Sequence, residues 1–230
     1  MRQVLTRGIV LSRTAYGEAD RIITLLTPEQ GKVRVMARGV RKLKSKLAGG
    51  VELFSTTDIT YIPGRGEIHT LISSRLVKHY GHIVEDIERV QLGYELIKVL
   101  NKATEDQPEE DYYNLLEQSF QLLDDKTISM AFVQLWFEAQ LIRLSGHTPN
   151  LHIDTADKKL SADRSYNFDF DAMSFAEHPA ASFTADHIKT LRLLFSTNHP
   201  RLLAAVQGME QAVADIAPLI RTMRTSYIRV

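Results

Sequence analysis

The stretch Lys32-Val33-Arg34-Val35-Met36-Ala37-Arg38 decides how the first third of the chain is read. Val33, Val35 and Ala37 fall on one face, and Lys32, Arg34, Met36 and Arg38 on the other. Such alternation marks a half-buried β-strand. Outward from it, Val4–Thr14 and Arg21–Thr27 are rich in β-branched residues and leucine, with a turn at Gly17–Asp20 and another at Pro28–Gly31. Val51–Ile62 and Glu67–Val77 follow, joined by Pro63-Gly64-Arg65-Gly66. Five strands in about 80 residues predict a small barrel. Strand count alone leaves an OB-fold and an SH3-like barrel both open.

From residue 81 the period changes. Ile83, Ile87, Val90, Tyr94 and Ile97 recur at spacings of four and three, which predicts one apolar helix face. Pro108 before Glu109, Glu110 and Asp111 predicts a helix start, and Tyr112, Leu115, Leu116, Phe120 and Leu123 its apolar side. A third helix is expected over Ile128–Ser145, ending at Gly146. Thr184 is the expected cap of a helix carrying Ile188, Leu191 and Phe195. Leu202 to Met223 keep a four-three spacing that Pro218 should kink or restart. Between these helices, 147–183 reads as a small hairpin or irregular insert. The fold class expected is α+β: a barrel domain over 1–80 and a helical domain over 81–230.

Composition narrows the function. The 230 residues hold 28 Lys/Arg and 28 Asp/Glu, and 44% are hydrophobic, enough for a core. No apolar run is long enough to span a membrane, and the N-terminus lacks the pattern of a signal peptide, so a cytoplasmic protein is expected. Cysteine is absent, which excludes disulfides, thiolate zinc sites and a cysteine nucleophile. The zero net charge is the balance of two unequal halves: residues 1–80 carry a net +8 and residues 81–230 a net −8. A polyanion partner for the basic half is one reading. Docking of that half on an acidic protein, as an interaction adaptor, is the other.

The clustering of charge favours nucleic acid. Arg38-Gly39-Val40-Arg41-Lys42-Leu43-Lys44-Ser45-Lys46 holds five cations in nine residues and no acid. Glycines and dense cations suit a loop lying along a phosphate backbone. Lys32, Arg34 and Arg38 extend the patch. Aromatic side chains are scarce in this half. Phe54 and Tyr61 sit in apolar contexts that read as core, so contacts to phosphate with little sequence preference are expected. Other chemistry finds little support. His147, His152, Asp154 and His178 match no zinc spacing, and the five aspartates of the insert are commoner as surface acids than as a two-metal nuclease site. There is no nucleophile elbow and no phosphate-binding glycine loop. Trp136 lies among apolar neighbours and reads as core.

The order of several short motifs is similar to the RecO family of bacterial recombination and repair mediators. They are Ile9-Val10-Leu11, Gly17-Glu18-Ala19-Asp20-Arg21, Gly31-Lys32-Val33-Arg34, Ala37-Arg38-Gly39-Val40-Arg41-Lys42, Lys44-Ser45-Lys46-Leu47 and Glu52-Leu53-Phe54. Gly64-Arg65-Gly66-Glu67-Ile68, and later Phe137-Glu138, Gly146 and Pro149-Asn150, also fit. The resemblance implies an N-terminal OB-fold and a helical domain, in a protein of the bacterial cytoplasm associated with the nucleoid. It implies binding of single- and double-stranded DNA and annealing of complementary strands. It also implies work with RecR, and with RecF, to load RecA on DNA coated by single-strand binding protein. No enzyme activity or nucleotide cofactor is implied. The DNA-binding residues carried over are Lys32, Arg34, Arg38, Arg41, Lys42, Lys44 and Lys46. Two departures stand out: the four zinc cysteines of many members are missing from the insert, and Leu135-Trp136 stand where some members place cations.

Overall fold

The computed structural model describes residues 2–104, 110–196 and 199–228. The Pro108-Glu109 helix start lies outside the described residues. The chain divides into two compact units, 1–126 and 127–230.

In the first unit, β1 (Val4–Tyr16), β2 (Asp20–Thr27), β3 (Gly31–Ala37), β4 (Ser55–Ile62) and β5 (Ile68–His79) form a closed barrel in the order β1-β2-β3-β5-β4. All neighbours are antiparallel except β3 and β5. Five strands, closed by one parallel pair, are the OB arrangement; closure leaves no free sheet edge around the ring. The alternation read in β3 holds. Val33, Val35 and Ala37 point inward, where they pack with Val10, Ile23, Leu25, Ile59, Tyr61 and Leu71. Val51 to Phe54, expected as strand, instead follow a short 3-10 turn at Ala48–Gly50 and lead into β4.

Three helices follow within the same unit: α1 (Gly81–Val84), α2 (Ile87–Ala103) and α3 (Glu110–Leu123). The buried side of α2 is only in part the one the spacing predicts. Arg89, Leu92, Gly93, Leu96, Val99 and Leu100 are buried along with the expected Ile97, whereas Ile87 and Tyr94 are exposed. Two features cause the shift. Asp86 starts a new helix by accepting from the N–H groups of Glu88 and Arg89, so Ile83 belongs to a different one. And the barrel offers α2 an aromatic floor: Phe54 packs edge-to-face on Tyr94 and on Phe120 of α3, and Tyr80 on Phe120, with centroids 5.3–5.6 Å apart. Phe54 has φ of 53°, a left-handed conformation, and its ring reaches so close to α2 that a Cβ on Gly93 would meet it at 2.6 Å. On the outer wall of β1, β4 and β5, Arg7 and Arg75 both bond Asp58, at 2.8 and 3.1 Å. The bond from Arg7 above all holds the Asp58 carboxyl below its ordinary range.

The second unit is built on α4 (Met130–Leu144), which is buried nearly all round. Ser129 caps it by accepting from Phe132 N–H, and Gly146 follows with φ of 81°. Trp136 is buried, as read. The insert holds a hairpin of β6 (Tyr166–Asp169) and β7 (Ser174–Glu177). Rings gather at its centre: Phe175 meets Tyr166, Phe168 and Phe183 edge-to-face. Asp154 Oδ1 accepts from the N–H groups of Ala156 and Lys158. α5 (Ala185–Leu194) begins at the Thr184 cap. The last helical run breaks earlier than expected. α6 (Pro200–Ala204) stops before Gly208, which has φ of 80°, and α7 (Met209–Tyr227) then runs through Pro218. The chain turns over residues 205–208, and Gly208, in a left-handed conformation that other residues resist, stands at the start of α7, which Pro218 does not interrupt. No described helix is long and apolar enough to cross a membrane.

Candidate nucleic-acid interface

The loop from β3 to β4 starts with Gly39 in the left-handed region, φ of 64°. Its N–H donates to Asp20 Oδ1 at 2.7 Å, and Arg41 N–H donates to Ala19 O at 3.0 Å, which tie the loop to the β1–β2 turn. Val40 turns into the barrel core, and Leu47 packs against the same core. Two turns close the middle: Lys42 N–H reaches Gly39 O, and Ser45 N–H reaches Lys42 O. At the far end Gly50 lies against β5, where any Cβ would collide with Ser74, and Ser74 Oγ donates to Leu47 O. Both ends are therefore pinned, and the cations stay outside.

The seven cations singled out from sequence separate into two groups. Arg38, Arg41, Lys42, Lys44 and Lys46 share the exposed loop. Arg41 reaches Gly17 O at 3.4 Å; the side chains of Arg38, Lys42, Lys44 and Lys46 have no hydrogen bond or ion pair among the described residues. Five positive charges without a neutralising acid concentrate positive potential on this loop. Lys32 and Arg34 stand apart from them. Lys32 Nζ donates to Asn101 O and Thr104 O, at 2.8 and 2.7 Å, and so satisfies carbonyls at the C-terminal end of α2. Arg34 pairs with Glu67 at 2.7 Å.

Beside Arg34 the structure shows a feature the sequence reading missed. A groove of 560 Å³ runs between the barrel wall and α2. Arg13, Arg34 and Lys98 line it, together with Leu53, Tyr94 and Ile97. The signal for Tyr94 and Lys98 was their i, i+4 spacing on what proves to be the exposed side of α2. Metal chemistry gains nothing. No three His, Asp or Glu among the described residues come together to hold an ion. His147 stacks on Tyr227, and Asp154 is spent on its own turn.

Comparison with known proteins accords with this architecture. The family model described as Recombination protein O N terminal matches residues 1–80, the barrel. The one described as Recombination protein O C terminal matches 84–219. The DNA repair protein RecO of Listeria monocytogenes serotype 4b is 30% identical over 207 residues, 85% of this chain and 78% of that one. Those of Alkaliphilus metalliredigens and Dehalococcoides mccartyi are 30% and 31% identical over 149 and 147 residues. These two alignments take in 64% of this chain but only 60% and 57% of the relatives' own length. With both family models matched in order across barrel and helices, the chain belongs to the RecO family.

Proposed function

We propose that this chain is a non-enzymatic DNA-binding protein of recombinational repair. It holds single- and double-stranded DNA by phosphate contacts from the loop, anneals complementary strands, and works with RecR to load RecA, in company with RecF and single-strand binding protein. One observation carries the reading: five exposed cations, on a loop pinned at both ends to a barrel of the OB type. The relatives' shared name, DNA repair protein, supports it. Annealing follows from the same charge. A cationic surface that neutralises phosphate on two strands lowers their mutual repulsion and releases counterions. Arg38, Arg41, Lys42, Lys44 and Lys46 are the phosphate contacts, with Arg34 at the margin. Lys32 contributes by fastening α2.

Annealing of two complementary oligonucleotides tests this, followed by loss of a strand-specific fluorescence signal. Wild type should accelerate pairing, and a variant with Arg41, Lys42, Lys44 and Lys46 changed to Glu should not. Equal acceleration by the two proteins would remove the loop from the mechanism.

A further inference from the structure

We propose that the groove between the barrel wall and α2 takes one unpaired base of single-stranded DNA, stacked on Tyr94. This deepens the function proposed above and rests on it.

On the barrel strands the exposed tyrosine is Tyr16, the last residue of β1, which does not line the groove. Tyr94 is supplied from α2, and its side chain is 47% exposed although one side packs on Phe54 at 5.3 Å. A ring held by a buried partner and open on the remaining side is pre-set for stacking. Leu53 and Ile97 give the groove an apolar lining, and its volume lies within the range of about 300–1,000 Å³ common for sites that enclose a small ligand. Around this lining stand Arg13, Arg34 and Lys98. Lys98 has no ion pair among the described residues, whereas Arg13 pairs with Glu52 and Arg34 with Glu67. Both carboxylates are well exposed, and such pairs exchange readily for phosphate.

Position joins the groove to the basic loop. Ser12, Thr24 and Arg34 are paired across β1, β2 and β3, so they form one row on the outer wall. From Arg34, β3 leads directly to Arg38, four residues or roughly 13 Å along the strand. A strand whose backbone follows the loop cations can therefore place a neighbouring base against Tyr94. A base in a duplex is stacked and paired, and reaches such a ring only after flipping out. The groove thus gives a preference for single strands that the loop, reading phosphate alone, does not.

Fluorescence anisotropy of the full chain with labelled oligonucleotides tests this. Tyr94→Leu, which keeps apolar contact with Phe54, should lose about tenfold in affinity for single strands and almost none for duplex. Tyr94→Phe should bind as wild type does. An abasic single strand of the same length gives the answer without any mutation: wild type should bind it about tenfold more weakly than the ordinary strand. Equal affinity of wild type for the two strands overturns the proposal. So does an equal loss on single strand and duplex by a Tyr94→Leu protein that melts normally. In both cases a loop variant that still loses affinity for all DNA leaves the proposed function standing. A wild type that binds no DNA at all defeats both.

Discussion

Phe54 and Gly93 are the residues on which the helices of the first unit depend. Phe54 is 2% exposed, sits in a left-handed conformation and touches both α2 and α3 through their aromatic side chains. Such a conformation costs about 1–3 kcal/mol and persists only where its surroundings enforce it. Gly93 provides the room. Gly93→Ala should gain up to about 1 kcal/mol in helix propensity, yet the added methyl meets a ring that cannot retreat. A net loss of about 1–2 kcal/mol is expected in urea unfolding; a gain in stability would show that the ring moves aside. The core role of Phe54 was legible from its apolar setting. The conformation was not, because it depends on where Gly93 and Phe120 lie, 39 and 66 residues farther along.

At the scale of elements, charged side chains of the barrel make two fastenings with testable consequences. Lys32 holds the end of α2 through two carbonyls, 69 and 72 residues away in sequence. Lys32→Gln should therefore lower stability by about 1 kcal/mol and leave DNA affinity nearly unchanged. A variant that melts like wild type but binds DNA more weakly would return Lys32 to the phosphate contacts. The β3 alternation revealed that this side chain faces outward, but carbonyl partners leave no mark in a sequence. The second fastening is Asp58 between Arg7 and Arg75. Its carboxyl is held below the ordinary range, so its contribution is complete above about pH 4, the unfolded value, and is lost as pH falls through the folded one. Asp58→Asn should be less stable than wild type by up to about 1 kcal/mol at neutral pH, and the gap should close in acid. A gap independent of pH would mean that packing, not charge, explains the loss. The helix boundaries show the same division of what can be read. Thr184 and Gly146 mark helix ends by local chemistry, and both were legible. The break over residues 205–208 lost out in the reading to Pro218, because the left-handed conformation of Gly208 that starts α7 shows only in the backbone.

Over the whole molecule, the sequence carries a basic N-terminal half, an acidic remainder and a run of family motifs. These sufficed for the barrel, the helices and the loop. They did not reveal that the barrel keeps α2 and α3 within its own compact unit, through residue 126. The groove lined by Tyr94 and Lys98, proposed above to take a base, therefore extends beyond residue 80 onto α2. The insert makes a similar point. Its sequence lacks cysteine, and its contacts are those of Phe175 with its aromatic neighbours and of the turn that Asp154 caps.

The central claim is that Arg38–Lys46 is the main phosphate contact. The measurement that tests it most directly is the salt dependence of single-strand affinity, taken by anisotropy on wild type and on a variant with Arg41, Lys42, Lys44 and Lys46 changed to Gln. Each neutralised phosphate adds about 0.7 to the slope of log affinity against log salt on a single strand. The account predicts a slope shallower by about 3 in the variant, with circular dichroism unchanged. Equal slopes for the two folded proteins would contradict it, and would move the phosphate contacts off the loop.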